Sequence, residues 1–467
     1  MDAPQSKSTA EITEALATFD KPALRSFQKN TPRADISHIP GDTGMPFFGH
    51  MYWFLTDVHT WLNKRQKQHG NVFKMHNPVQ KSVFILGPEA NRLLLQNEDK
   101  IFSNFLSWDP VFTNLFDNNI LQRDFANHKA HRKILQMAFR RPAIEGHMQL
   151  MNPLLKDGIS GWDKGRPIKA MHHIKELLLD TGSSVFLGLT PGAESRRLNK
   201  AFTDIVAATT DPFRNKKLWF TPYAKGVKGN QLLTSFVSKL IPQRRGQDGR
   251  DLLTHLCNLT DDDGASFTDK EILEHIIFIL FAAHDTTTSA LSAILFALAS
   301  NLEWQEELRE EMFALNKDEL EFDDVATLTK TGWTFKEALR MYPALAMMPR
   351  YALKDFEYEG HTIPAHTSVW VTPVYSHYME EYWSNPYTFD PERFSPERAE
   401  DKKHFFQYIP FGGGAHKCIG MHFANMIVKC FLHQFLLNYE WSVEPGYKPK
   451  MEAFPLPKTA DGLPLKL

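Results

Sequence analysis

The chain has 467 residues, 53 Lys and Arg against 55 Asp and Glu, a formal net charge of −2, and 42 % hydrophobic residues. That balance gives no argument for a nucleic-acid or broadly acidic partner, and the ordinary apolar content excludes a disordered or fibrous chain. Three scattered cysteines, Cys257, Cys418 and Cys430, form no CxxC pair, which argues against a disulfide framework or a structural zinc site and fits a reducing cytoplasm.

The first thirty residues are polar and mixed in charge, with no apolar stretch long enough for a signal peptide or a transmembrane anchor. Residues 1–35 therefore read as a mobile or peripheral extension carrying one short helix, Ser8–Thr18. A single catalytic domain is expected over 36–467. Its start is marked by the turn-rich run Ile39-Pro-Gly-Asp-Thr-Gly-Met-Pro-Phe-Phe-Gly49. Val58–His69 has a helical pattern, Asn71–His76 and Lys81–Leu86 read as a strand pair, and Glu89–Asn97 returns to helix.

Ser103–Ile120 reads as an irregular aromatic segment, with Phe105, Trp108, Phe112 and Phe116 set among Asn, Asp and Pro. It fits a loop over a pocket and a surface loop with buried anchors equally well. Phe125–Phe139 is helical, with His128 and Arg132 four residues apart on one face. Helical patterns dominate from Ala143 to Asn258.

The longest helix begins at the capping-box sequence Thr268-Asp-Lys-Glu271 and runs through Ile276–Ala283, His284–Ser289 and Ala290–Ala299. At about 30 residues it spans roughly 45 Å. Apolar residues surround it, so it should run buried through the protein. The six consecutive polar residues at its centre argue against a membrane span. Glu303–Leu315 and Lys330–Met341 are amphipathic helices. Short strands follow from Arg350 to Trp370, then a Pro- and aromatic-rich meander over Tyr375–Arg398. Next come a glycine-rich loop, a helix over Met421–Leu437, and a β-like tail from Tyr439. The fold class is mainly α with a smaller β region.

The glycine-rich loop, Phe411-Gly-Gly-Gly-Ala-His-Lys-Cys418-Ile-Gly420, sets one cysteine just before a helix. A thiolate there gains from the helix N-terminus, and the glycines permit close approach to something flat. Alone, the loop fits a metal-bound thiolate and a buried structural cysteine beside a turn. Two other features bear on the choice. Glu337-Ala-Leu-Arg340 sets a carboxylate and a guanidinium three apart on one helical face. Asn385-Pro-Tyr-Thr-Phe-Asp-Pro-Glu-Arg393-Phe394 adds a second arginine in a stiff meander.

Glu-x-x-Arg, Pro-Glu-Arg-Phe and Phe-x-x-Gly-x-His-x-Cys-x-Gly in this order resemble the cytochrome P450 family over roughly residues 38–467. The resemblance implies an α-rich triangular prism around a buried haem b (iron protoporphyrin IX), crossed by the long helix. It implies Cys418 as the thiolate ligand of iron, and Glu337, Arg340 and Arg393 as the buried network that fixes the meander. His128, Arg132, Arg350 and His416 match propionate-binding positions. Ala282-Ala-His-Asp285-Thr286 resembles the oxygen-activation motif, in which an acid–alcohol pair interrupts the helix and relays protons. Asp285 and Thr286 are the candidates for that relay. The chain departs from the family pattern at Ala283, where glycine is common. It departs again at His128, where many members have tryptophan, and at Ile427, which replaces a frequent glutamate.

By the same resemblance the pocket takes Phe105, Trp108, Phe112, Phe116, Phe278, Ala282, Ala344, Leu345, Met347 and Met348. This almost wholly apolar set implies a hydrophobic small-molecule substrate. The Ile39–Gly49 run and Phe125–Phe139 look similar to retinoic-acid-hydroxylating members, which leans the substrate class toward terpenoids, retinoids, sterols or fatty acids. No reductase domain is attached, so a monomer that takes electrons from a separate ferredoxin or flavodoxin is expected. Lys129, Lys133, Lys402, Lys403, Lys417 and Lys429 are its candidate docking cluster. Two rival readings stand beside the monooxygenase. One is a peroxide-using or non-redox enzyme of the same fold, against which Asp285-Thr286 argues. The other is a non-catalytic carrier of haem or a hydrophobic ligand.

Overall fold

The computed structural model describes residues 9–77, 81–211, 219–452 and 456–467. Helices dominate, and five short strands form one mixed sheet. In spatial order these are Val72–His76, Lys81–Ile85, Ser368–Val371, Met348–Ala352 and Phe102–Ser103. Val72 to His76 pair antiparallel with Ile85 to Lys81, the hairpin expected from two β-branched runs. Ser368–Trp370 adds parallel to Ser82–Phe84, and Met348–Tyr351 runs antiparallel to Val371–Ser368. The C-terminal tail supplies two-residue strands, one of which pairs Leu465 with Ile168.

The central helix spans Asp269–Ser300. Its capping box forms as the sequence implies, with the Thr268 amide donating to Glu271 Oε2 at 2.9 Å and the Glu271 amide donating to Thr268 Oγ1 at 3.3 Å. It is long and apolar enough to cross a membrane, yet most of it is buried against neighbouring helices. Its polar centre is satisfied inside the protein. Thr286, Thr288 and Ser292 donate to the carbonyls four residues back, and Ser289 donates to Pro457 O. The helix runs without interruption through Ala282–Thr286, where the family resemblance implied a break in its hydrogen bonding.

Two regions differ from the sequence reading. The N-terminal segment holds two helices, Thr9–Thr18 and Lys21–Asn30. Both are docked, with Ile12, Leu16, Leu24 and Phe27 buried in one cluster with Phe105, Leu106 and Leu353. Their apolar residues are sparse but fall on one face, which polar composition conceals. Within Ser103–Ile120 the chain forms a helix, Phe105–Phe112, despite Pro110. Its start is held by Asp124, which accepts from Ser103 Oγ at 2.6 Å and from the amides of Asn104 and Phe105 at 2.9 and 3.1 Å.

Candidate active site

Cys418 sits at the end of the glycine loop, its amide donating to Phe411 O at 2.9 Å. Gly412 and Gly414 have φ of +69° and +61°, conformations that favour glycine. The expectation that these glycines admit a flat partner needs correcting in part. A Cβ on Gly414 would lie 1.9 Å from Leu95 O, and one on Gly413 would lie 2.9 Å from the Phe406 ring. Those two glycines let the loop close on the protein's own helix Pro88–Gln96 and on Phe406. The thiol itself remains accessible. Crowding by protein pushes it above its ordinary range, while the Gly420 N–H, Arg132 and Lys417 pull the other way. Gly420 caps the helix Met421–Asn438, so the thiol faces a helix N-terminus.

The loop is anchored from behind by a buried charge network. Glu337 accepts from Arg340 Nε and Nη2 at 2.7 and 2.9 Å, from Arg393 Nε at 3.1 Å and from the Asp390 amide at 3.0 Å. Glu337, Arg340 and Arg393 are all fully buried. Two further members escaped the sequence reading. Glu400 accepts from Arg393 Nη1 at 2.9 Å. His377 accepts from the Ile409 amide on Nε2 at 3.0 Å, which leaves its Nδ1–H to donate to Arg340 O at 3.0 Å. Burial pushes His377 down to about 3, so the imidazole is neutral and bridges the helix Thr329–Met341 to Ile409, two residues before the cysteine loop.

A basic cluster stands beside the thiol. His128 and Arg132 come from the helix Phe125–Met137, Arg350 from the strand Met348–Ala352 and His416 from the loop itself. The His128 and His416 rings lie 3.9 Å apart between centroids. Burial drives His128 to about 3 and His416 well below its usual value, so both imidazoles are neutral. Burial also lowers Arg132, and it pulls Arg350 down to about 10. Neither guanidinium makes an ion pair among the described residues, and Arg350 donates only to the carbonyl of Pro349. Among the described residues the acid close by is Asp124, which attracts Arg350 electrostatically, lies 3.8 Å from His416 Nε2 and is already engaged by three donors. Two guanidiniums with no ion pair among the described residues, two imidazoles and a thiol form a donor set suited to a dianion that carries a thiolate-binding metal.

In the middle of the central helix Ala282 is exposed, with half-buried Phe281 and Ala283 on either side, and the hydroxyl of Thr286 donates to Ala282 O at 2.7 Å. Asp285 lies 3.3 Å from Lys175 Nζ and 2.9 Å from His284 Nδ1. Burial alone would raise its carboxyl, but His284 and Lys175 outweigh burial and hold it below the usual range. Neither partner was foreseen. His284 is the residue between Ala283 and Asp285, and Lys175 comes from another helix. Ala283 lines a cavity together with Thr287, Phe186, Phe202 and Phe423.

The aromatic candidates divide. Trp108 stacks on Phe112 at 5.4 Å, and Phe112 and Phe116 meet Phe278 and Phe281 of the central helix at 4.4 to 6.3 Å. Phe281 belongs to this wall and was not singled out from the sequence. Phe105 points the other way, edge-on to Phe19 at 5.8 Å. Met347 packs into a separate core with Trp61 and Phe73, and Met348 into the core beneath the sheet with Leu94 and Phe406. Ala344 and Leu345 stay half-buried. The lysine cluster also divides. Lys129, Lys402, Lys403 and Lys417 are exposed, and Lys133 is paired with Asp261 and Asp263. Lys429 is buried, donates to Val325 O at 2.7 Å and is pulled down to about 8 by burial. It cannot belong to a docking surface. Its helix is enclosed on nearly every side, which leaves its lysine no route to solvent.

The cytochrome P450 family model matches residues 39–462, leaving the two N-terminal helices outside it. The chain is 33 % identical over 442 residues to cytochrome P450 136 of Mycobacterium tuberculosis, covering 93 % of this chain and 89 % of that one. Taxane 13-alpha-hydroxylase of Taxus cuspidata is 28 % identical over 464 residues, with 94 % of each chain covered. A solved structure of cyanobacterial CYP120A1 with retinoic acid bound superposes with a TM-score of 0.82 at 26 % identity, covering 92 % of this chain and 98 % of that one.

Proposed function

The chain belongs to the cytochrome P450 family, and from that premise we propose that it hydroxylates a hydrophobic terpenoid, retinoid, sterol or fatty acid with electrons from a separate ferredoxin or flavodoxin and its reductase. Its class is that of a haem-iron monooxygenase. The observation that carries the reading is exposed Cys418 beside two guanidiniums that make no ion pair among the described residues and two neutral imidazoles. Haem b, when bound, supplies the activation of dioxygen from which one oxygen atom enters the substrate.

In this reading Cys418 is the iron ligand, and Arg132, Arg350, His128 and His416 receive the two propionates through charge-assisted hydrogen bonds. Glu337, Arg340 and Arg393, joined by Glu400 and His377, hold the loop that presents the thiolate. Thr286 keeps its hydroxyl proton at the carbonyl of Ala282, and Asp285, held as a carboxylate beside Lys175 and His284, is placed to take a proton from the Lys175 ammonium and hand it on. The wall of Trp108, Phe112, Phe116, Phe278 and Phe281 excludes water and favours an apolar substrate. Lys129, Lys402, Lys403 and Lys417 offer a positive face to an acidic electron donor. A monomer in the cytoplasm completes the proposal.

The test is a titration of the haem-loaded protein with retinoic acid, a taxane diterpene, a sterol and palmitic acid, read by displacement of the haem absorption band. Turnover is then compared with ferredoxin and reductase, and with hydrogen peroxide alone. Saturable shifts with one apolar class and turnover only with the protein donor are expected. No shift with any class would refute the substrate reading, and equal turnover with peroxide would refute the electron route.

A further inference from the structure

We infer that the two N-terminal helices form a strap that sets the position of the pocket wall, with Arg25 as its specificity-determining positioning residue acting through Asp109. This rests on the reading of Trp108 and Phe112 as pocket wall. The strap itself lies outside the region that the family model matches.

The wall helix Phe105–Phe112 is eight residues long and contains Pro110. A helix this short gains little from its own hydrogen bonds, so its position depends on what packs against it. One side carries Trp108 stacked on Phe112, and Phe112 meets the central helix through Phe278 and Phe281. The other side is covered by the strap. Phe105 and Leu106 are buried with Ile12, Leu16, Leu24 and Phe27, and Gln28 Nε2 donates to Leu106 O at 2.9 Å.

The polar clamp is built on Asp109, a buried carboxylate on this short helix. Arg25 donates to both its oxygens, Nε to Oδ2 and Nη2 to Oδ1, each at 2.9 Å. The same Nη2 reaches Thr113 Oγ1 at 3.1 Å and Asp117 Oδ1 at 2.9 Å, just beyond the end of the helix. Lys21 Nζ adds Asp117 Oδ1 at 2.9 Å and Asn118 Oδ1 at 2.6 Å. Gln122 Nε2 also donates to Asp109 Oδ1 at 3.0 Å, and Asn118 Nδ2 donates to Glu274 of the central helix. One guanidinium therefore ties the wall helix and the turn after it to a segment nearly a hundred residues away in sequence. A bidentate arginine–carboxylate pair fixes orientation as well as distance, which a lysine at the same point would not do. Freed from the strap, the wall would keep its contacts to the central helix and lose its backing. It would then accept ligands of more varied size.

Amide hydrogen exchange of the full chain without ligand tests the strap, using R25A and the double variant R25A/D109N. The double variant removes the carboxylate that R25A alone would leave buried without its cation. Peptides covering 105–117 should exchange at least tenfold faster in both variants, with peptides from Thr329–Met341 unchanged. Unchanged exchange over 105–117 in the double variant, or an increase spread evenly over the chain, would overturn the inference. Specificity is read separately on the haem-loaded protein with imidazole and 4-phenylimidazole. The affinity ratio of the two should change at least threefold in the double variant while imidazole binding stays constant. Faster exchange with an unchanged ratio would overturn the role in specificity. Because the exchange measurement uses no ligand, a failure of the pocket reading is distinguishable from a failure of the strap.

Discussion

Substituting Gln for Glu337 removes one negative charge from a site that water does not reach. Three of the four bonds to Glu337 end on Oε1, from Arg340 Nη2, Arg393 Nε and the Asp390 amide, and only Arg340 Nε ends on Oε2. A glutamine with its oxygen at the Oε1 position keeps those three and turns its NH2 toward Arg340 Nε, donor against donor. Arg340 and Arg393, both fully buried, are then left with Glu400 as the nearest buried carboxylate. Breaking a buried pair in this way costs about 3–5 kcal/mol, a large part of the ~5–15 kcal/mol that separates folded from unfolded domains. Urea unfolding followed by circular dichroism at neutral pH should show that loss for E337Q and at least as much for E337A. The control is R92A, whose partner Glu89 sits with it in solvent, and whose loss should be below about 1 kcal/mol. An E337Q loss no larger than that of R92A would refute the reasoning.

The remaining expectations follow from single sites. His147 is fully buried, neither ring nitrogen has a hydrogen-bond partner among the described residues, and burial lowers it to about 3. Since its unfolded value is about 6.5, the unfolded chain binds more protons than the folded one as pH falls from 6.5 toward 3, and stability declines across that window. H147F should remove about 2 kcal/mol of the decline between pH 7 and pH 5, and an unchanged acid limb in urea unfolding would contradict this. G414A places a methyl group against Leu95 O at a positive φ and should prevent stable folding of the loop, read as lost haem retention. G70A, with open space around its Cβ and φ of +81°, should cost only about 1 kcal/mol. K417E should slow electron transfer and flatten its salt dependence, while K429M should leave both unchanged because Lys429 never reaches the surface.

Much of this arrangement was legible in the sequence because it rests on local signals. The capping box Thr268/Glu271 announced the central helix, and two β-branched or apolar runs announced the first hairpin. The helix after Cys418, by contrast, does not by itself stabilise a thiolate, because burial holds the thiol above its ordinary range. What stayed hidden depends on contacts distant in sequence. Glu400 joins the buried arginines only because the meander folds back, and His377 reaches Ile409 and Arg340 only in three dimensions. Asp124 stands where an N-cap would stand, yet its carboxylate serves the preceding helix. Lys429 read as surface charge because a lysine gives no sign of burial until its neighbours are known. Phe105 read as pocket from the family resemblance, and its packing against Phe19 and Leu24 stayed hidden because that segment's polar composition suggested mobility. Helix and strand periods are written locally, whereas the side of a helix that meets a partner is decided by the partner.

The central claim is that Cys418 is the ligand of haem iron, and the absorption spectrum of the reduced, carbon-monoxide-bound protein tests it most directly. The unmodified protein should show the red-shifted Soret band of a thiolate-ligated haem, and C418A should lose that band while its far-UV spectrum stays unchanged. A Soret band without the red shift in the unmodified protein, or a red-shifted band that survives in C418A, would contradict the account.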